Sequence, residues 1–264
     1  MKFLFALLLV LPAWAQDLAF TRTGKGPAVL LIHGFAGNKE VWSDLGKRLS
    51  ERFTVLAVDL PGCGASPVPA PGAVDFAAVA DAVAKVARRE LEGPVLAVAH
   101  SMGGLVGLRL ASRHPELVRG LAMLDAPLLP MEGVQAEKLA RAFEQDAAGT
   151  FRARYGRFAA TPEQLDRVVM EAARVPGAVL AAYVRGRMAS NEPDAGRVRC
   201  PVLLIASPIL LPSGANPNAE ARAAGYAAFG TLAVVRLPKV RHWVMWDEPG
   251  LTFQALTEFA GTLK

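Results

Sequence analysis

Residues 95–104 read Val95-Leu96-Ala97-Val98-Ala99-His100-Ser101-Met102-Gly103-Gly104. Val95 to Ala99 is a short, continuous apolar run stopped on its N-terminal side by Gly93-Pro94, the signature of a buried strand. Met102 to Arg113 carries apolar residues at helical spacing and closes at His114-Pro115. Ser101 therefore stands at a sharp strand-to-helix turn. Such a turn forces a strained backbone and leaves the hydroxyl exposed at the sheet edge. The helix must double back closely, so small neighbours are needed. Gly103 and Gly104 supply them on one side, and Ala99 on the other, one methyl larger than glycine. The Met102 N–H points to where an oxyanion would form, and the new helix's N-terminus adds partial positive charge there.

On either side of this turn, β-rich runs alternate with helical ones. Strands are expected at Ala28 to Ile32, Phe53 to Asp59, Val118 to Leu124, Val202 to Ala206 and Leu232 to Leu237. Helices are expected at Val41 to Arg52, after the cap residue Asp75, at Asn218 to Phe229 and at Pro249 to Lys264. This alternation implies an α/β fold, a mostly parallel sheet with helices on both faces. It stops between Ala126 and Arg197, where helical patterns such as Glu137 to Ala147 and Pro162 to Arg174 run without a strand. The expected organisation is a core of residues 16–125 and 198–264 with a helical cap insertion over 126–197. That interruption falls near the site end of the sheet, where a cap would cover a pocket.

The chain has 264 residues, 52% of them apolar, so a sizeable core is available and disorder is excluded. Lys and Arg number 29 against 24 Asp and Glu, a net charge of +5. These cations are scattered over helical stretches, which reads as solvated helix faces and not as a nucleic-acid footprint. No zinc spacing, phosphate loop or dinucleotide fingerprint is present, so no metal or cofactor is implied. Residues 1–15 read as a signal peptide. Lys2 precedes the apolar run Phe3 to Leu11, Pro12 breaks it, and Ala13-Trp14-Ala15 offers cleavage after Ala15. The run is too short for a stable membrane anchor, so a secreted or periplasmic protein is expected. Cys63 and Cys200 flank different strands and are expected to remain unpaired.

The chain resembles the α/β-hydrolase superfamily over nearly its whole mature length. The resemblance is carried by His33-Gly34-Phe35 after a strand, by Asp59 to Ser66, by His100 to Gly104, and by Arg241-His242-Trp243. It implies a serine hydrolase with Ser101 as nucleophile and the Phe35 and Met102 N–H groups as oxyanion hole. His33 is implied to be structural, and His100 and His114 have ready structural roles as well. His242 follows the last strand, where the family places its base, and is the one histidine far downstream of Ser101. The family usually takes its acid from the loop after Val202 to Ala206. Here that loop, residues 207–218, holds no Asp or Glu. Asp125, at the end of the preceding strand, is the best candidate acid, a position some α/β-hydrolases use. Asp247, Glu248 or no acid remain open, and Glu220 lies within a helical stretch. Asp59 and Ser66 read as structural, and Trp42, Trp243 and Trp246 as core or pocket lining.

The expected activity is esterase- or lipase-like cleavage of a small apolar or amphiphilic carboxylic ester. A serine nucleophile argues against the aspartate-dependent dehalogenase and epoxide-hydrolase relatives. Two other readings stay open: the same residues acting on C–C bonds, amides or lactones or in perhydrolysis, and an inactive hydrolase fold that binds a ligand.

Overall fold

Ala28–Ile32, Thr54–Val58, Val95–His100 and Val202–Ala206 are buried at every position. Strands covered on both faces need apolar side chains pointing both ways, which explains why these runs do not alternate. In the computed structural model, residues 17–69, 71, 72, 74–188 and 192–263 are described. The expected signal peptide lies outside them.

In chain order the elements are β1 (Phe20–Thr23), β2 (Ala28–Ile32), α1 (Ser43–Leu49), β3 (Thr54–Val58), α2 (Phe76–Glu90), β4 (Val95–His100), α3 (Gly103–Arg113) and β5 (Val118–Leu124). There follow α4 (Gly133–Gln145), α5 (Ala147–Tyr155), α6 (Pro162–Ala173), α7 (Gly177–Gly186) and α8 (Glu192–Ala195). The chain closes with β6 (Val202–Ala206), α9 (Pro217–Ala221), β7 (Leu232–Arg236), α10 (Val244–Asp247) and α11 (Pro249–Thr262). The strands form one seven-stranded sheet in the order β1-β3-β2-β4-β5-β6-β7. Only β1 runs antiparallel, against β3. The crossover from β2 to β3 travels in the opposite direction to those from β3 to β4 and from β4 to β5. Right-handed crossovers therefore place α1 on one face and α2 and α3 on the other.

Register sets the site. His100 pairs with Leu124 across β4 and β5, and Leu124 pairs with Ile205 across β5 and β6. Ser101 and Asp125 follow directly and Ser207 follows Ala206 at the end of β6, so the three leave the sheet side by side at its carboxyl rim. That is where open α/β sheets bind ligands.

Some expected elements differ in detail. Val41 to Arg52 is a 3₁₀ turn over Lys39–Trp42 followed by α1. Asn218 to Phe229 is not one helix. It breaks at Gly225, whose φ is 103°, and a Cβ there would lie 2.9 Å from the Cβ of Leu128. The break lets the chain press against the segment leaving β5, where the Tyr226 hydroxyl donates to the Ala126 carbonyl at 2.6 Å. The short strand β1 carries polar side chains, and α7 is buried nearly all round. Neither shows a periodicity that would announce it. Cys63 and Cys200 are unpaired, and burial pushes their thiols up to about 12 and about 11.

The close return of α3 onto β4 is visible atom by atom. A Cβ on Gly103 would stand 2.4 Å from the His33 carbonyl oxygen, backbone that cannot yield. The methyl of Ala99 is accommodated because Gly107 lies opposite it; a Cβ there would be 3.0 Å from the Ala99 Cβ. Gly107→Ala and Ala99→Gly should therefore couple. In a double-mutant cycle by urea denaturation, the pair is expected to be more stable than the summed single effects by about 0.5 kcal/mol or more. Strict additivity would show that the two positions do not press on each other.

Candidate active site

Three non-glycine residues among those described have positive φ: Ala36 at 58°, Ser101 at 52° and Asp125 at 44°. Each follows a strand at the same rim of the sheet. Backbone strain concentrated in one place is a mark of a functional site. Each is held by neighbouring backbone. The Ser101 N–H donates to the Leu124 carbonyl at 2.9 Å, and the Asp125 N–H to the Ile205 carbonyl at 2.8 Å. A turn closed by the Gly37 N–H on the Gly34 carbonyl, at 3.2 Å, presents Phe35 and Ala36.

His242 reaches this rim from the loop after β7. Its Nε2 lies 2.8 Å from Ser101 Oγ, and its Nδ1 lies 2.7 Å from Asp125 Oδ2. Asp125 is 1% exposed, and its other oxygen, Oδ1, accepts from the Ser207 N–H at 2.8 Å. A buried carboxylate with both oxygens bonded fixes the imidazole with Nδ1–H toward the acid. Nε2 is then free to accept the serine proton. Ser207 is the first residue of the acid-free loop, so that strand end contributes a backbone donor where a carboxylate is usual.

Among the described residues, none of the other candidate acids bonds His242. Asp247 accepts from Gln164 Nε2 and the Arg241 N–H, and Glu220 accepts from the Ser213 N–H. Glu248 stands at the N-cap position of α11, and its side chain makes no capping bond. Asp59 accepts from the Lys39 N–H, Lys39 Nζ and the Ala65 N–H, while Ser66 Oγ donates to the Asp59 carbonyl. These two pin the Gly-rich loop. Trp243 packs edge-on to the His242 ring at 5.2 Å, and Trp246 donates to the Val41 carbonyl. Trp42 is core, 1% exposed.

The remaining histidines support the frame. His33 Nδ1 donates to the Gly34 carbonyl at 2.8 Å, and Nε2 accepts from the Leu60 N–H at 2.9 Å. His100 Nε2 donates to the backbone carbonyl of His242 at 2.9 Å, holding the segment that carries that ring. His114 bonds Asp81 at 2.8 Å, away from the rim. Burial is the main cause that lowers His33 to about 4 and drives His100 well below its ordinary value. The unfolded chain takes up protons near pH 6.5 that the folded chain refuses until lower pH. Stability is therefore full above about pH 6.5 and falls as acid is added. By pH 5 the loss from His33 alone is expected to be about 2 kcal/mol. Urea midpoints at pH 7 and pH 5 test this, and an unchanged midpoint would contradict neutral, buried rings.

Phe35, Ser101, Met102, Asp125 and His242 line one cavity of about 500 Å³, a size suited to a small molecule. Neither the Phe35 nor the Met102 N–H is bonded to an acceptor among the described residues, so both are available to a developing anion. The helical segment contributes the facing wall through Met131, Tyr155 and Phe158. It also grips the rim. The Phe35 ring packs on Phe143 at 5.2 Å and on Tyr155 at 5.8 Å, and the His242 N–H donates to the Phe158 carbonyl.

Among the cavity residues that sequence reading misses are Arg154, Arg157 and Arg187. It treats them as solvated helix charge. The available signal is weak: Arg154-Tyr155-Gly156-Arg157-Phe158 interleaves cations with aromatics.

A serine, imidazole and carboxylate in hydrogen-bonded series beneath two free backbone donors can carry out acyl transfer. A family model described as the alpha/beta hydrolase fold matches residues 27–208. The chain belongs to that family, and at that level it is a hydrolase. It is 30% identical over 253 residues to 2-(acetamidomethylene)succinate hydrolase of Mesorhizobium japonicum, covering 89% of this chain and 88% of that protein. It is 32% identical over 210 residues to the pimeloyl-[acyl-carrier protein] methyl ester esterase of Chromobacterium violaceum, covering 73% of this chain and 80% of that one. Among solved structures, a thermophilic esterase from Thermogutta terrifontis superposes with a TM-score of 0.80 over 92% of each chain, at 24% identity.

Proposed function

We propose that the protein is a secreted serine hydrolase that cleaves a small carboxylic ester. The carrying observation is the 2.8 Å approach of His242 Nε2 to Ser101 Oγ. In the proposed reaction Ser101 Oγ attacks the acyl carbon and passes its proton to His242 Nε2. The Phe35 and Met102 N–H groups hold the oxyanion, each donor contributing about 3 kcal/mol in comparable sites. Collapse breaks the acyl–oxygen bond, and the alcohol leaves with the proton from Nε2. Water then attacks the acyl-enzyme with His242 again as base. The acid departs, and the Ser101 hydroxyl regains its proton. Asp125 keeps the tautomer and stabilises the imidazolium without itself being protonated.

The names of two relatives support the ester reading: a methyl ester esterase, and the lipase LipV of Mycobacterium tuberculosis, 38% identical over 125 residues that cover 47% of this chain and 46% of that protein. The helical segment 126–197 acts in this proposal as a cap that limits substrate size and excludes water. Export rests on the pattern of residues 1–15. Among the described residues no helix is long and apolar enough to cross a membrane. The test is a panel of p-nitrophenyl esters of rising acyl length, with one amide and one lactone, alongside labelling by a fluorophosphonate. Ester turnover with labelling is expected. Folded protein that neither turns over nor labels would overturn the proposal.

A further inference from the structure

The cavity beside Ser101 carries an unbalanced charge. Arg154, Arg157 and Arg187 all line it, and none has a carboxylate partner within salt-bridge reach among the described residues. The two acids in its wall are already committed. Asp125 serves Ser207 and His242, and Glu132 accepts from the Val134 and Gln135 N–H groups at the start of α4. The same helical segment pairs most of its other arginines with carboxylates, and Arg167 lies over the Trp246 ring. Arg141 and Arg185 meet Glu137, Arg152 meets Asp166, and Arg174 meets Glu171. The three cavity arginines face the cavity without such a carboxylate.

Arg187 is the most telling. It follows α7 and stands in the cavity wall, and its Nε is buried without a hydrogen-bond partner. Loss of water from around it lowers the pKa of the guanidinium, with Arg154 acting in the same direction. Leaving a buried cationic donor unsatisfied is costly, and a planar guanidinium is best satisfied by a carboxylate. Arg157 lies 4.9 Å from the Phe158 ring centre, so its charge is held near the mouth by an aromatic face.

We infer that the cavity selects an ester bearing a second, anionic group, a carboxylate, which Arg187 receives with Arg154 and Arg157 at the mouth. The inference rests on Ser101 as the attacking group, and it narrows the substrate class from amphiphilic esters to acid-bearing ones. Two sources of the carboxylate are distinguishable. Monomethyl esters of short diacids carry it on the acyl side; acetate esters of short hydroxy acids carry it on the alcohol side.

Both series are to be compared with their uncharged methyl-capped counterparts. In the wild type, kcat/KM should favour the anionic member of one series by tenfold or more. In Arg187→Gln that ratio should fall at least tenfold, chiefly through KM, and Arg187→Lys should restore part of it. Arg152→Gln, which breaks the pair with Asp166, should leave the ratio alone. If Arg187→Gln fails to fold, the rim variant Arg154→Gln/Arg157→Gln should lower the ratio in the same direction. A wild type without preference, or a preference unmoved by these variants, overturns the inference while ester hydrolysis stands. Binding is read separately by titrating glutarate into Ser101→Ala. Saturable binding that weakens with salt and is lost on adding Arg187→Gln supports the anion site even where no ester is turned over; absence of binding in that case overturns it.

Discussion

Ser101→Ala is expected to lower kcat for any hydrolysed ester by about 10⁴-fold or more and to abolish fluorophosphonate labelling. The fold should survive, because the change removes one oxygen from a residue that is only partly exposed at a rim. The Ser101 N–H, which ties the turn to Leu124, is untouched. His242→Ala should cost a similar factor, since the imidazole takes up and returns the same proton. The double variant should be little worse than either single one, because two parts of one proton-transfer unit do not contribute separately. Residual activity above the uncatalysed rate is expected from the Phe35 and Met102 donors alone. Measured kcat with thermal denaturation as a check decides the matter. Activity of Ser101→Ala within tenfold of wild type, or labelling that persists, would move the chemistry to another residue.

The parallel strands were legible because burial on both faces leaves a run such as Val202–Ala206 no choice but to be apolar throughout. Antiparallel β1 was not, because Phe20–Thr23 lies at an edge and is mostly exposed, so its side chains follow solvent and not the fold. The interior of α7 is hidden for the converse reason: Val179 to Val184 are all buried, and a helix without a polar face has no 3.6-residue signal. Gly225 shows a third kind of failure. Helical propensity runs through it, and the break is imposed by the approach of Leu128, a contact that local sequence does not contain. At the rim, the turn at Ser101 was readable from its small neighbours, and the loop of His242 from its place after the last strand. The arginines of the cavity were not readable, because a cation on a helix has the same spacing whether it faces solvent or a pocket.

The position of the acid follows from the register of the sheet. Leu124 and Ile205 are paired neighbours, so the chain leaving β5 and the chain leaving β6 emerge next to one another. A carboxylate on either can reach an imidazole arriving from the loop after β7. Moving it to β5 changes what supports it. Asp125 adopts the left-handed backbone conformation that aspartate tolerates better than most residues, and β6 lends it the Ser207 N–H. The Tyr226 hydroxyl, one strand connection away, ties down the Ala126 carbonyl just beyond it. The acid is thereby held by a backbone donor on one side and by a buried tyrosine on the other.

That support decides what Asp125→Asn should do. The substitution keeps shape and volume, so stability should change little beyond the lost charge. An asparagine here has one acceptor and one NH₂ to divide between Ser207 and His242. The Ser207 N–H can only donate, so it claims the amide oxygen and turns the NH₂ toward His242 Nδ1. Nδ1 must then accept, and the ring proton shifts to Nε2, which faces Ser101 and can no longer take its proton. The reversed amide would set NH₂ against the Ser207 N–H, two donors in a buried space, an arrangement that costs about 1–3 kcal/mol. Asp125→Asn is therefore expected to lower kcat by about 10³- to 10⁴-fold with KM nearly unchanged, whereas Glu220→Gln and Asp247→Asn stay within a few-fold. Asp125→Ala, which removes the amide donor as well, should be less impaired at high pH than Asp125→Asn, because its imidazole is free to choose either tautomer. Equal activity of Asp125→Asn and wild type would show that the carboxylate only braces the rim, and the orientation of His242 would then have to come from the His100–His242 backbone bond.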